Sequence, residues 1–417
     1  MDRFRITGGR RLAGELTLSG SKNAALPMLA ATLLVRGESV LHNIPKLRDV
    51  DSMCRLLEVL GARIKREGHT VIVDSSGIDQ HEAPYDVVRK MRASIYVLGP
   101  LVAHLGRARV SLPGGCAWGP RPVNLHLQGL RAMGADISLE HGYIEARAQR
   151  LRGASIAFDV VSVGATANLM MAATLADGTT TISNASREPH VIALGEFLGS
   201  MGAEVSGLGT HTVSVTGVDR LEPAEAVNRS DYIEAGTMAA AAVITGGALA
   251  IRGGIASDCG PVLERLRETG ADVSWQGDLL HVSRSGPLRP IQLTTAPHPG
   301  FPTDVQAQLM AVLSIANGTS VITEGIYADR FTHVPELGRM GARITVRGNV
   351  AVIHGVPALE GAPVMATDIR ASAAMVLAAL VAEGETVVNR VYHIDRGYEK
   401  IEAKLNAVGA DVERLDS

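Results

Sequence analysis

Asp51-Ser52-Met53-Cys54-Arg55-Leu56-Leu57-Glu58-Val59-Leu60-Gly61-Ala62-Arg63-Ile64-Lys65 is the stretch that decides the fold. Met53, Leu56, Leu57 and Leu60 recur at helical spacing and share one side. Gly61 then stands where a helix would end, at the C′ position, where a residue without Cβ turns left-handed without a clash. Arg63-Ile64-Lys65 and Val71-Ile72-Val73 read as two strands joined by a turn containing Gly68. Upstream, Gly20-Ser21-Lys22-Asn23 opens an apolar run over residues 24–34. A turn at Arg36-Gly37-Glu38 leads into a short strand, Ser39-Val40-Leu41-His42.

The same phrase returns along the whole chain. Gly-Ala pairs start at Gly61, Gly134, Gly202, Gly270, Gly341 and Gly409, spaced by 73, 68, 68, 71 and 68 residues. Such regularity means one supersecondary unit copied six times. Apolar helices are expected over residues 95–103, 169–175, 238–244, 309–315 and 373–380, each followed by a glycine turn and a strand. The later hairpins use His141-Gly142, Gly209, Gln276-Gly277 and Gly348-Asn349, residue types that tolerate positive φ. The sixth copy is cut short, since Asp411-Val412-Glu413 has no return strand before Ser417. Phe4-Arg5-Ile6-Thr7 is a lone strand ahead of the first copy, and it is expected to complete the last one.

A chain of 417 residues exceeds one ordinary core, and three copies give a domain of about 200 residues. The expected division is residues 20–228, carrying three repeats, against residues 1–19 plus 229–417. The longest nearly apolar stretch, residues 238–251, has 14 residues and two glycines, too short to span a membrane. Met1-Asp2-Arg3 does not read as a signal peptide. The net charge of −3, with both signs scattered, shows no basic tract for nucleic acid. Cys54, Cys116 and Cys259 lie far apart, so neither a disulfide framework nor a cysteine-rich metal site is indicated, and a reducing cytoplasm fits. There is no P-loop, no HExxH and no complete Gly-x-Gly-x-x-Gly.

Where a scaffold repeats, function lies in how the copies differ. The first helix of each copy starts at Lys22-Asn23, Arg89-Lys90-Met91-Arg92, Ser162-Val163-Gly164, Asp231 with Glu234, Thr303-Asp304, and Asp368 with Arg370. Ser, Thr, Asp and Asn there are ordinary caps. Lys22, Arg92 and Arg370 break the local rule, because the positive end of the helix dipole disfavours cations. Cations gathered where helix N-termini point would form an anion site suited to phosphate. The second copy also departs from the repeat, with Leu112-Pro113-Gly114-Gly115-Cys116-Ala117-Trp118-Gly119-Pro120-Arg121-Pro122. Three glycines and three prolines mark an exposed loop. Burial as a small hydrophobe suits Cys54, on an apolar helical face, better than Cys116.

This loop resembles the active-site loop of the UDP-N-acetylglucosamine enolpyruvyl transferases, also called UDP-N-acetylglucosamine 1-carboxyvinyltransferases. Other motifs are similar to that family in order along the chain. They include Gly20-Ser21-Lys22-Asn23-Ala24-Ala25-Leu26-Pro27, Met91-Arg92-Ala93-Ser94 and Ser162-Val163-Gly164-Ala165-Thr166. Phe301-Pro302-Thr303-Asp304-Val305-Gln306-Ala307-Gln308, Met365-Ala366-Thr367-Asp368-Ile369-Arg370-Ala371-Ser372 and Tyr392-His393-Ile394-Asp395-Arg396-Gly397-Tyr398 continue the match. The resemblance implies a two-domain inside-out α/β barrel of six βαβαββ-like units, three per domain, with substrates between them.

It also implies a reaction. Enolpyruvyl passes from phosphoenolpyruvate to the 3-hydroxyl of UDP-N-acetylglucosamine by addition–elimination, releasing phosphate, the first committed step of peptidoglycan precursor synthesis. By motif, Cys116 corresponds to the proton donor to carbon, to the site of a covalent pyruvate adduct and to the residue alkylated by fosfomycin. Asp304 corresponds to the carboxylate facing the sugar hydroxyl, as base or positioning group. Lys22, Asn23, Arg121 and Arg396 correspond to phosphoenolpyruvate ligands. Arg92, Arg121-Pro122-Val123-Asn124-Leu125, Ser162, Val163, Asp304 and Ile326 correspond to contacts with the nucleotide sugar, and Arg330, Asp368 and Arg370 to supporting cleft residues. No metal or organic cofactor, no nucleic acid and no membrane span is expected, and the expected state is a cytoplasmic monomer.

The chain departs from the family pattern at Asn124 (usually Asp), Val160 (often Lys), Tyr232 (commonly Arg) and Trp118. Of the thirteen histidines, His126 alone lies within the loop's reach, and it is given a structural or secondary role. Rival readings are 5-enolpyruvylshikimate-3-phosphate synthase, which lacks the Pro-Gly-Gly-Cys loop, and a non-catalytic UDP-sugar-binding regulator. A repeat-built DNA clamp is disfavoured by the charge balance.

Overall fold

The computed structural model describes residues 2–89, 91–112 and 123–416, with Arg92 described by its backbone alone. These residues form six four-stranded sheets, and every sheet has the same plan. In the first, Glu225–Val227 runs parallel to Glu38–His42, which pairs antiparallel with Thr70–Asp74, which pairs antiparallel with Arg63–Glu67. Gly68, at φ 63°, turns the hairpin.

The chain divides into two compact units, residues 20–229 and residues 1–19 plus 230–417, three sheets in each. The break falls between Arg229 and Ser230, one residue beyond the expected boundary. Two sheets take their parallel strand from a distant part of the chain. Ala13–Thr17 lies beside Ala248–Arg252, with Ala13 opposite Ala248 and Thr17 opposite Arg252. Glu225–Val227 serves the first copy's sheet, although it follows the third copy in sequence. Arg3–Thr7 sits between Glu385–Asn389 and Val412–Leu415, antiparallel to both, and turns Phe4 and Ile6 into the core.

The first helix of each copy is apolar all round, a pattern that only a core position satisfies. In the 20–229 unit Lys22–Ala31, Leu98–Leu105 and Val163–Ala173 fill the centre. In the other, Tyr232–Thr245, Gln306–Leu313 and Ile369–Ala379 pack on one another. All 14 residues of Tyr232–Thr245 are buried, and its alanine run lets the helices approach closely. The amphipathic second helices, such as Arg48–Val59, run between the centre and the sheets. Each unit is thus an inside-out barrel, helices within and sheets around them. Gly61, Gly134, Gly202, Gly270, Gly341 and Gly409 close the second helices with φ of 104°, 89°, 101°, 105°, 88° and 100°.

One helix start differs from expectation. In the second copy Tyr85–Val88 is a short helix, and a 3₁₀ segment, Arg92–Val97, leads into the α-helix Leu98–Leu105. Pro100 fits the first turn of that helix, where its missing N–H would have had no partner.

Candidate active site

Asp304, Arg330 and Arg370 are brought together from three segments of the 230–417 stretch. Asp304 lies in the 3₁₀ turn Thr303–Val305, which leads into the buried helix Gln306–Leu313. Its Oδ1 accepts from Arg330 Nη2 at 2.7 Å and faces Arg370 Nε at 3.2 Å. Arg330 also donates from Nη1 to Thr303 Oγ1 at 2.9 Å. Burial alone would push the Asp304 carboxyl up, but the Arg370 and Arg330 charges outweigh it and hold it well below the usual carboxylate range. Burial likewise works against the Arg370 charge, and Asp304 more than offsets this, so the guanidinium stays charged.

Asp368 holds Arg370 from below. It is the N-cap of Ile369–Ala379, its Oδ1 accepting from Arg370 N at 2.8 Å and Ala371 N at 3.2 Å. Its Oδ2 accepts from Thr332 Oγ1 at 3.2 Å and Thr367 Oγ1 at 3.3 Å. One carboxylate thus caps the helix and gathers two threonine hydroxyls.

Sequence reasoning missed the carboxylate that anchors this group. Glu324 is buried, and its Oε1 accepts from Thr295 Oγ1 at 2.6 Å, Ile326 N at 2.9 Å and Tyr327 N at 3.1 Å. Its Oε2 accepts from Thr303 Oγ1 at 2.9 Å. Ile326 and the Asp304 turn thus hang on one side chain. Nothing in the sequence marks Glu324, because beside its own turn its donors, Thr295 and Thr303, come from two other segments. Tyr398 and Gln308, which the sequence offers only within longer motifs, join the same network. Gln308 Nε2 donates to Asp304 O at 3.0 Å and shares its other hydrogen between Tyr398 OH at 3.1 Å and Thr237 Oγ1 at 3.2 Å, while Arg370 lies 5.9 Å from the Tyr398 ring centroid. Arg396 is half-buried at the end of the 3₁₀ segment Val391–Arg396.

In the 20–229 unit, Lys22 is the first residue of Lys22–Ala31, behind the N-cap Ser21, whose Oγ accepts from Ala24 N at 3.4 Å. Lys22 is 8% exposed, and its Nζ lies 3.2 Å from Asp49 Oδ2, on the helix Arg48–Val59. That pairing explains how a lysine is held at a helix start despite the dipole. Asn23 beside it is half-buried. Asn124 is exposed at the start of Asn124–Ala132, Leu125 is buried and Val123 is half-buried just before it.

Ser162 caps Val163–Ala173, its Oγ accepting from Ala165 N at 3.3 Å, and Val163 follows half-buried. His126 reaches this helix start, since a Cβ built on Gly164 would lie 3.2 Å from His126 Nε2. Burial lowers the His126 pKa to about 4, so the ring is neutral near pH 7.

Cys116, Arg121 and Pro122, with Trp118, lie outside the described residues, as does the side chain of Arg92. Among the described residues burial pushes the Cys54 and Cys259 thiols up to about 12, which leaves neither a ready thiolate. Of the departures from the family pattern, Val160 is 63% exposed, while Tyr232 is buried in the first turn of its helix, edge-on to His298. Among the described residues no cluster of three or more His, Cys, Asp or Glu could hold a metal ion. Nor is any described helix long and apolar enough to cross a membrane.

Comparison with known proteins agrees over the whole length. The family model for EPSP synthase (3-phosphoshikimate 1-carboxyvinyltransferase) matches residues 6–405. The UDP-N-acetylglucosamine 1-carboxyvinyltransferase of Desulfosudis oleivorans is 54% identical over 415 residues, covering 100% of both chains. That of Granulibacter bethesdensis is 54% identical over 418 residues, again covering 100% of both. Among solved structures, the enolpyruvyl transferase NikO from Streptomyces tendae superposes with a TM-score of 0.90 at 27% identity, over 100% of this chain and 99% of that one. An EPSP synthase from Acinetobacter baumannii shares the fold, with a TM-score of 0.79 at 20% identity and 100% of both chains covered. This chain therefore belongs to the EPSP synthase family of carboxyvinyl transferases and, within it, to the UDP-N-acetylglucosamine 1-carboxyvinyltransferases.

Proposed function

We propose that the protein transfers enolpyruvyl from phosphoenolpyruvate to the 3-hydroxyl of UDP-N-acetylglucosamine and releases phosphate. The observation that carries this reading is full-length identity of 54% to curated relatives of that name. Phosphoenolpyruvate and the nucleotide sugar are then the substrates. The reaction is the first committed step toward peptidoglycan precursors, carried out in the cytoplasm by a monomer.

In the addition step the 3-hydroxyl oxygen attacks C2 of phosphoenolpyruvate, Cys116 gives its thiol proton to C3, and the hydroxyl proton passes to solvent by way of Asp304. A tetrahedral adduct results. In the elimination step C3 returns a proton to the Cys116 thiolate, the C2–C3 double bond re-forms, and phosphate departs from C2. A thiol near its ordinary pKa of about 8.5 still carries a proton at neutral pH. Lys22, Asn23, Arg121 and Arg396 hold the carboxylate and phosphate of phosphoenolpyruvate, Arg121 with a planar fork suited to two oxygens.

Asp304 acts as acceptor and positioner for the sugar hydroxyl. A carboxylate held this far below its usual range by two guanidiniums is a weak base. Its value lies in aiming one oxygen at the reacting hydroxyl. Arg330, Asp368 and Arg370 keep it ionised and in place. Arg92, Pro122, Val123, Asn124, Leu125, Ser162, Val163 and Ile326 bind the nucleotide sugar.

The test is phosphate release from phosphoenolpyruvate with UDP-N-acetylglucosamine, run beside phosphoenolpyruvate with shikimate 3-phosphate, each with and without fosfomycin. Fosfomycin-sensitive release with the nucleotide sugar alone is expected. Release only with shikimate 3-phosphate would move the chain to the other branch, and binding without release would make it a regulator. Cys116→Ala is expected to abolish turnover and leave nucleotide-sugar binding nearly intact.

A further inference from the structure

Glu324 and Arg330 open and close one loop, and their side chains meet on the Thr303 hydroxyl. Glu324 is 1% exposed, and it makes no ion pair among the described residues. The groups that donate to it are all uncharged: the Thr295 hydroxyl at 2.6 Å, the Ile326 N–H at 2.9 Å, the Tyr327 N–H at 3.1 Å and the Thr303 hydroxyl at 2.9 Å. A buried carboxylate is costly without such donors. Thr295 Oγ1 in turn accepts from Gly325 N at 2.8 Å, and Arg330 N donates to Tyr327 O at 2.9 Å, so the loop is held at both ends.

The Thr303 hydroxyl has a single hydrogen, and its neighbours decide where it points. Arg330 Nη1, 2.9 Å away, can only donate, so Thr303 Oγ1 accepts there. The hydrogen is left for Glu324 Oε2 at 2.9 Å. The other terminal nitrogen of Arg330, Nη2, reaches Asp304 Oδ1 at 2.7 Å. A guanidinium is a rigid planar fork, so holding Nη1 also fixes where Nη2 points.

We infer that Glu324 is a positioning residue: through the Thr303 hydroxyl it sets the Arg330 fork, and thereby the aim of Asp304 at the reacting hydroxyl of the nucleotide sugar. The inference rests on the reaction proposed above. Glu324 also holds the Ile326 and Tyr327 N–H groups, so the segment proposed to touch the nucleotide sugar and the carboxylate proposed to face its hydroxyl share one anchor. Glu324→Gln separates these two duties. The donors of Thr295, Ile326 and Tyr327 outweigh that of Thr303, and the amide oxygen turns to them. An amide N–H then faces the Thr303 hydroxyl, whose hydrogen loses its acceptor.

The test measures phosphate release from phosphoenolpyruvate with UDP-N-acetylglucosamine, counted per site that binds the nucleotide sugar, together with the affinity for that nucleotide sugar. Glu324→Gln is expected to lower the turnover number about tenfold or more, the scale of a hydrogen bond to a charged group, while affinity stays within about threefold. Thr303→Val should lower turnover by a similar factor. Thr303→Ser, which keeps both bonds, should stay within about threefold of the parent. Both losses act on one hydroxyl, so the double variant should be no slower than the slower single one. A merely structural Glu324 would lower the share of folded sites and leave turnover per site unmoved.

Unchanged turnover per site in Glu324→Gln, losses that multiply in the double variant, or Thr303→Ser as slow as Thr303→Val would each overturn the inference. If Glu324→Gln fails to fold, the Thr303 variants decide, and parental turnover in Thr303→Val overturns it. A parent that binds the nucleotide sugar and releases no phosphate overturns the transferase reading and the inference with it. A parent that turns over beside variants that match it overturns the inference alone.

Discussion

Arg330 grips Asp304 end-on, Nη2 to Oδ1 at 2.7 Å, while its other terminal nitrogen holds the neighbouring Thr303 hydroxyl at 2.9 Å. One guanidinium thereby fixes both the charge and the backbone turn of the carboxylate proposed to face the sugar. Arg330→Met is expected to destabilise the fold by about 3 kcal/mol at pH 7, as when one partner of a largely buried ion pair is lost. The lowered Asp304 pKa contributes stability above the unfolded value of about 3.9, and that stability is lost as pH falls through the folded value. Acid should therefore destabilise the parent more than Arg330→Met. Urea unfolding at pH 7 and at pH 3 checks this, and equal acid sensitivity would show that Arg330 does not set the Asp304 ionisation.

A second buried pair ties the segment 1–19 into its unit. Lys404 Nζ lies 2.6 Å from Glu234 Oε1 and donates to Ser19 Oγ at 2.7 Å, while Glu234 Oε2 accepts from Ser19 N at 2.6 Å. Burial raises the Glu234 pKa despite Lys404. A raised carboxyl pKa means stability that is fully present below the unfolded value and lost as pH rises through the folded one. Lys404→Met is expected to cost about 3–5 kcal/mol at pH 8 and less at pH 5, where Glu234 takes up a proton. Adding Glu234→Gln should recover part of the loss. A double variant as unstable at pH 8 as Lys404→Met alone would contradict this account.

The repeated glycines differ in what surrounds them. A Cβ on Gly134 meets nothing within 4 Å, whereas one on Gly61 would sit 2.5 Å from the Gly77 carbonyl oxygen. Gly134→Ala should cost about 1–2 kcal/mol, the penalty of positive φ alone. Gly61→Ala should cost clearly more, because backbone must also move. Midpoints of urea unfolding compare the two, and equal losses would refute the steric part.

His333 is buried, its Nε2 lying 3.2 Å from the Met310 sulfur, and burial lowers its pKa to about 4. Between that value and the unfolded value of about 6.5, the unfolded chain binds a proton that the fold refuses. Stability should fall as pH drops through this window, by on the order of 3 kcal/mol for this group at its end. His126 adds a second contribution of the same sign. His333→Leu should flatten the profile between pH 7 and 4, and an unchanged slope would show that His333 is not buried neutral.

Much of the fold is legible in the sequence because each copy carries its own local instructions. The helix that ends at Gly61, the hairpin turned at Gly68 and the apolar helices need only short-range patterns. The strands Ala13–Thr17 and Glu225–Val227 are harder, since each pairs with a partner far away in the chain and carries no signal of the exchange. At the site, Asp304, Asp368 and Arg370 stand out as polar residues at the starts of apolar helices. Glu324, Asp49 and Asn168 do not, because each also has a partner contributed by a distant segment.

By itself, then, the sequence determined the six-fold repeat, the glycine-closed helices and the residues that break the pattern. These follow from periodicity and from backbone sterics, which act over a few residues. Only the tertiary structure decided that Asp304 is held ionised between two arginines, that Lys22 leans on Asp49, and that the Asn168 amide joins the Gly99 N–H to the Ile95 carbonyl. Charge state and hydrogen-bond pairing depend on which groups lie within about 3 Å in a water-poor interior, and the chain order does not carry that information.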